Sequence, residues 1–247
     1  MNEDSVSIAQ KAHDYIKSHT DELIDYFSGN YADPGKGRVT VLMAGAPGAG
    51  KTEFSRCLLR EQFGENSKLI VRIDPDEIRE WIPLYMHGKA ELFNSATNKG
   101  VDMLVDHCYD KKNDKSFLLD GTLSNFDIAR RNIDRGLKRG RKIQAFFVYK
   151  DPLVAWGFTQ KREKIEGRNI PKEDFVKHYF QSIENVNRLK NEYGNKIQID
   201  LVRLETENSD LPKMKDYKFE FNITSIDGYI QKKYSEDKLM SELCDIY

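Results

Sequence analysis

No stretch of this chain approaches the ~20 consecutive apolar residues that a membrane-spanning helix needs. The opening Met1-Asn2-Glu3-Asp4-Ser5 carries no basic segment running into an apolar one. A membrane span and a secretory leader are therefore not expected. Cysteine is scarce: Cys57, Cys108 and Cys244 are far apart and odd in number, and no pair has metal-ligand spacing. That excludes a disulfide framework and points to a reducing, cytoplasmic location. The sequon Asn222-Ile223-Thr224 then reads as chance. An excess of one charge is also missing, since 39 basic residues face 40 acidic ones for a net charge of −1. Nothing global draws the chain to nucleic acid or to an anionic membrane.

What is present is a phosphate loop. Gly45-Ala46-Pro47-Gly48-Ala49-Gly50-Lys51-Thr52 fills every fixed position of G-x-x-x-x-G-K-[ST]. An apolar β-branched run, Val39 to Ala44, precedes it as a buried strand, and residues 51–63 follow as a helix. Glycines let successive N–H groups turn inward on phosphate oxygens, and the helix N-terminus adds its positive dipole end. Lys51 is placed for the terminal phosphates and Thr52 for Mg²⁺. Nucleoside triphosphate binding is the function these residues specify.

Alternating patterns organise the rest. Strands are expected at 38–44, 68–73, 116–119, 143–149 and 197–203, with helices near 51–63, 88–111, 125–140, 152–165 and 172–193. This implies an α/β fold with right-handed crossovers and a mostly parallel sheet covered by helices on both faces. Residues 1–37 read as an N-terminal helical extension, 38–205 as the core, and 206–247 as a C-terminal segment. In that last segment 225–247 is expected as one amphipathic helix burying Tyr229, Ile230, Tyr234, Leu239, Leu243 and Ile246. A basic run, Arg130, Arg131, Arg135, Lys138, Arg139, Arg141 and Lys142, reads as a solvated helix face.

Ligands of such sheets gather beyond the carboxyl ends of the strands, and charged residues stand there. The second strand runs into Asp74-Pro75-Asp76. Asp74 suits a helix N-cap ahead of Pro75 and a place beside hydrated Mg²⁺. Asp76 suits a proton acceptor for an attacking hydroxyl. The third strand ends in Asp120-Gly121-Thr122, an apolar strand running into the Walker-B carboxylate. After the fourth, a basic helix end carrying Arg162 leads into a loop with Gly167 and Arg168, a lid-like composition equally compatible with plain solvation.

Together the P-loop, Ile73-Asp74-x-Asp76, Asp120-Gly121-Thr122, and Arg162 followed by Arg168 ahead of Pro171-Lys172 resemble the zeta toxins of epsilon/zeta-type toxin–antitoxin systems. The resemblance spans roughly residues 38–205. It implies a kinase-type P-loop NTPase fold and transfer of the γ-phosphate of ATP or GTP, with Mg²⁺, to the 3′-hydroxyl of UDP-N-acetylglucosamine. It also implies Asp76 as catalytic base, Lys51 and Thr52 in Walker-A roles, and Arg162 and Arg168 as phosphate-contacting arginines. Asp102 corresponds to an acidic residue that contacts the sugar, and Asp120 and Thr122 fall beside substrate. Asp120 stands where the family usually has glutamate. A helical antitoxin is the partner the resemblance implies, and residues 4–28 could take that role in cis.

Other functions stay open from the residues alone. They are kinases of another sugar nucleotide, a dinucleotide, an antibiotic or a nucleic-acid 5′-hydroxyl, and a P-loop ATPase or switch with a water-positioning glutamine. The segment 94–102 offers Asn94, Thr97, Asn98 and Asp102 at helical spacing as a polar wall for an acceptor.

Overall fold

The computed structural model describes residues 3–32, 35, 37–63, 69–86, 89–166, 169–205, 212–230 and 233–243. Its centre is strand β1 (Val39–Ala44), five of whose six residues are buried. Parallel neighbours lie on both sides, so the strand needs apolar side chains on both faces. Val41 and Met43 enter one core with Phe54, Trp156, Phe175 and Tyr179. Leu42 and Ala44 enter the opposite core with Ile133, Val186 and Leu189. The two-residue period of a strand divides the run in this way.

The six described strands are β1, β2 (Val71–Ile73), β3 (Phe117–Leu119), β4 (Lys142–Val148), β5 (Gln198–Leu204) and β6 (Tyr217–Glu220). Their order is β2-β3-β1-β4-β5-β6. All pairings are parallel except β5 with β6, which is antiparallel. The order reverses at β1, so its carboxyl end opens on the crevice where such sheets bind ligands.

Helix α3 (Lys51–Phe63) leaves the P-loop, and α4 (Pro75–Trp81) follows β2. A 3₁₀ turn, Ala90–Phe93, leads into α5 (Asn94–Tyr109). Then come α6 (Phe126–Lys138), α7 (Pro152–Glu166) and α8 (Lys172–Tyr193). Ahead of the sheet, α1 (Glu3–Ser18) and α2 (Thr20–Ser28) bury Ala12, Ile16 and Leu23 in a third core with Ile73, Ile78, Phe93 and Leu104. Their contacts run to α5, the 3₁₀ turn and β2. Gly100 of α5 is the junction: a Cβ there would lie 2.8 Å from Ile78 Cγ2, with Leu23 and Ile16 at 3.5 and 3.6 Å.

The C-terminal segment corrects one expectation. Instead of a single helix over 225–247 there are turns, followed by α9 (Glu236–Glu242) after the Ser235 cap. The apolar residues serve different cores: Tyr229 and Ile230 pack with the α6–α8 side, whereas Tyr234, Leu239 and Leu243 join the α3–α7 side. One straight helix cannot reach both. Ile246 lies outside the described residues.

Candidate active site

The P-loop backbone explains its glycines. Gly45, Gly48 and Gly50 have φ of 132°, 72° and 92°, a region side-chain-bearing residues rarely occupy. A Cβ on Gly45 would meet the Val148 carbonyl oxygen at 2.3 Å, and one on Gly48 would meet the Ala155 oxygen at 2.2 Å. The loop is thus pressed onto the end of β4 and the start of α7. The Gly45 N–H also donates to the Thr122 carbonyl, tying the loop to the segment after β3. Lys51 Nζ donates to the carbonyls of Gly45 and Ala46 at 3.1 and 2.7 Å, which holds the ammonium across the loop.

A buried cation outside the expected site residues joins the ends of β2 and β3. Arg72 Nη2 reaches Asp74 Oδ2 at 2.5 Å and Asp120 Oδ2 at 2.7 Å, and Nη1 reaches Glu77 Oε1 at 2.6 Å. Its Nε donates to Ser55 Oγ, which in turn donates to Asp120 Oδ2 at 2.8 Å. The side chains of Arg72, Asp74 and Asp120 are only 11%, 4% and 2% exposed. Asp74 also caps α4, accepting from the Asp76 N–H at 2.9 Å. Burial pushes the Asp74 carboxyl up to about 6; Asp120 and Asp76 add to this, and Arg72 and the cap oppose it. A single charged residue inside an apolar strand, Val71-Arg72-Ile73, was the available signal.

Two cavities flank Lys51 and Thr52. The larger, about 730 Å³, runs from the P-loop past Asp74, Asp76, Asp120 and Thr122 to Arg79, Glu91, Asn94 and Asn98. Arg162, Asp174 and His178 close it from α7 and α8. Burial holds the His178 imidazole below its ordinary value, and Lys177 and Lys51 add to this against Asp174. The smaller cavity, about 300 Å³, lies beside the P-loop among Lys150, Phe158, Leu204, Pro212 and Tyr217. Arg162 borders both cavities, and its Nη2 sits 3.6 Å from Glu53 Oε1. The fold therefore gathers Lys51, Thr52, Asp74, Asp76, Asp120, Thr122 and Arg162 around one cleft. Arg168 lies outside the described residues.

Asp102 is not part of that cleft. It is 49% exposed and ion-paired with Arg131 at 2.9 Å. Eight residues beyond Asn94, it is about 12 Å further along α5 and turned about 80° from it. Thr97 is buried, leaving Asn94 and Asn98 as the pair of that segment that lines the cleft. The basic run is largely spent on ion pairs and packing. Arg130 pairs with Glu192, Arg131 with Asp102 and Arg135 with Asp106. Arg141 is buried against the Asp114 carboxylate and the Tyr109 ring. Among the described residues, no group of three or more His, Cys, Asp or Glu is arranged to hold a metal.

A parallel sheet with a switch point, a glycine cradle pressed on its neighbours and an acidic cleft beside it define a P-loop protein of kinase type. The chain belongs to the zeta toxin family, a kinase family, whose model matches residues 26–215. No curated protein sequence matches the chain. Among solved structures, one from the PezAT chromosomal toxin–antitoxin system of Streptococcus pneumoniae is similar with a TM-score of 0.58 at 20% identity. That similarity covers 81% of this chain and 77% of the other. The AvrRxo1-ORF1:AvrRxo1-ORF2 complex with sulphate ions is similar with a TM-score of 0.62 at 13% identity, over 97% and 75% of the two chains. The AvrRxo1-ORF1:-ORF2 structure with ATP gives 0.62 at 12%, over 98% and 75%. At these identities the likeness is one of fold.

Proposed function

We propose that this protein transfers the γ-phosphate of ATP or GTP to a hydroxyl of a nucleotide-activated sugar, with UDP-N-acetylglucosamine as the first candidate. The observation that carries this reading is the shared cleft, in which Asp76 faces the same space as Lys51, Thr52 and Arg162. Lys51 exchanges its loop carbonyls for the terminal phosphates. Asp76 takes the proton of the acceptor hydroxyl, and Arg162 neutralises charge where the two cavities meet. Asn94, Asn98 and Glu91 supply amide and carboxylate partners for a hydroxyl-rich acceptor.

The donor set fits Mg²⁺ held jointly with nucleotide. Thr52 would ligate it, while Asp74 and Asp120, each with one oxygen engaged by Arg72, would reach it through water. The ion would neutralise charge on the phosphates.

A P-loop switch is less well supported, because no glutamine lines either cavity among the described residues. A nucleic-acid kinase is disfavoured by the pairing of the basic run. The similar solved structures come from a toxin–antitoxin system and from a two-component complex, which supports a separate antitoxin as partner. Helices α1 and α2 contribute no residue to either cavity, which argues against their plugging the site in cis.

The test is incubation with labelled ATP and a panel of UDP-sugars, with the product located by NMR. Phosphate on the 3′-hydroxyl of UDP-N-acetylglucosamine is the expected result. Transfer only to a different metabolite overturns the acceptor, and hydrolysis without transfer to any acceptor overturns the kinase reading.

A further inference from the structure

Asp76 does not stand alone in the cleft. One turn along α4, Arg79 places Nη1 2.7 Å from Asp76 Oδ1. The guanidinium borders the same cleft, yet its side chain is only 10% exposed, against 29% for Asp76. Its Nε is buried without a hydrogen-bond partner. A desolvated cation left partly unsatisfied is unfavourable for folding and calls for a reason.

The surrounding packing supplies that reason. A first-turn acid normally turns toward the orphan N–H groups of its own helix. Here the Asp76 N–H is taken by the Asp74 cap. The i,i+3 spacing puts Arg79 on the same helix face, where it draws the Asp76 carboxylate along the cleft wall. The α4 backbone that carries both residues is fixed, because Ile78 is fully buried against the Gly100 junction and Ile82 is buried beyond it. With the helix held in place, the ion pair with Arg79 directs the carboxylate along the cleft wall.

We propose that Arg79 is a positioning residue for phosphoryl transfer, holding the Asp76 carboxylate at the place where it meets the acceptor hydroxyl. This rests on the kinase reading above. As the acceptor oxygen bonds to the γ-phosphorus, the bond from that phosphorus to the β–γ bridging oxygen breaks. The nucleoside diphosphate departs, and the hydroxyl proton passes to Asp76. Arg79 makes and breaks no bond in the step; it fixes the proton acceptor and offsets its charge beside the incoming phosphate.

The experiment is a double-mutant cycle on the full chain with Asp76→Asn and Arg79→Met, measuring kcat, the nucleotide KM and nucleotide affinity. Arg79→Met is expected to lower kcat on the order of 10- to 100-fold, the size of a small misplacement of a reacting group. The nucleotide KM and affinity should stay within about twofold, and Arg79→Lys should recover part of kcat. In the Asp76→Asn background, Arg79→Met should change the residual rate by less than about threefold, since the two residues act as one unit. Losses that multiply, or a normal kcat in Arg79→Met, overturn the proposal. Should Arg79→Met fail to bind nucleotide or to fold, the same cycle run with Arg79→Lys decides it by the same criterion. A normal rate in Asp76→Asn alone instead overturns the assignment of Asp76, a separate outcome.

Discussion

Replacing Arg72 with methionine should be among the most damaging single changes to this fold. The guanidinium is nearly the whole counter-charge of a buried acidic pair: it lies 2.5 Å from Asp74 and 2.7 Å from Asp120, whose side chains are 4% and 2% exposed. Methionine fills similar space but leaves those carboxylates facing each other with no cation between them. Removing one partner of a buried ion pair costs about 3–5 kcal/mol. Asp74 offers partial relief by protonating, because burial already pushes its carboxyl up to about 6 from an ordinary 3.8. The sign follows from linkage: for a carboxyl raised in the folded state, the stabilisation from protonation is complete below the ordinary value and is lost as pH rises through the raised one. Without Arg72 that window extends to higher pH, so the variant should lose less at pH 5 than at pH 7.5. Urea unfolding followed by fluorescence of Trp81 and Trp156 measures both losses. A loss under about 1 kcal/mol at pH 7.5, or no difference between the two pH values, would refute this reasoning.

Three further outcomes follow from the same geometry. Gly48→Ala adds a Cβ 2.2 Å from the Ala155 carbonyl at a φ of 72°; the left-handed backbone alone costs about 1–2 kcal/mol, so nucleotide affinity should fall at least about tenfold, and wild-type affinity by calorimetry would contradict it. Asp102→Ala removes a half-exposed surface pair with Arg131 and should leave kcat and KM unchanged and stability within about 0.5 kcal/mol; a large kinetic loss would restore the sugar-contact role implied by resemblance. Arg162→Ala, at the border of both cavities, should lower kcat more than it raises the nucleotide KM, and unchanged kinetics would return this arginine to the solvated surface.

Much of this was legible in the sequence because it is written in local rules. The P-loop glycines adopt a backbone that side-chain-bearing residues rarely occupy, and Val39 to Ala44 is apolar at every buried position except Thr40, whose hydroxyl pairs with that of Tyr109. Asp74 ahead of Pro75 became the expected helix cap. The misses are places where tertiary structure decides. Tyr217-Lys218-Phe219-Glu220 alternates as a strand should, but four residues signal little until β5 supplies a partner. Tyr229 and Leu239 share helical spacing yet enter different cores. Arg72 gains its place from Asp120, distant in the chain, together with Asp74 beside it. Asp102 kept the spacing of a site residue while α5 carried it away from the cleft.

The measurement that bears most directly on the central claim is steady-state phosphoryl transfer by Asp76→Asn beside direct nucleotide binding. Asp76 borders the cleft shared by Lys51 and Arg162 and pairs there with Arg79. Loss of its basicity should therefore cut turnover by a factor on the order of 10² to 10⁴ while nucleotide affinity stays near that of the wild type. Normal turnover, or a collapse of nucleotide affinity with the residual rate intact, would contradict Asp76 as the group that accepts the acceptor's proton.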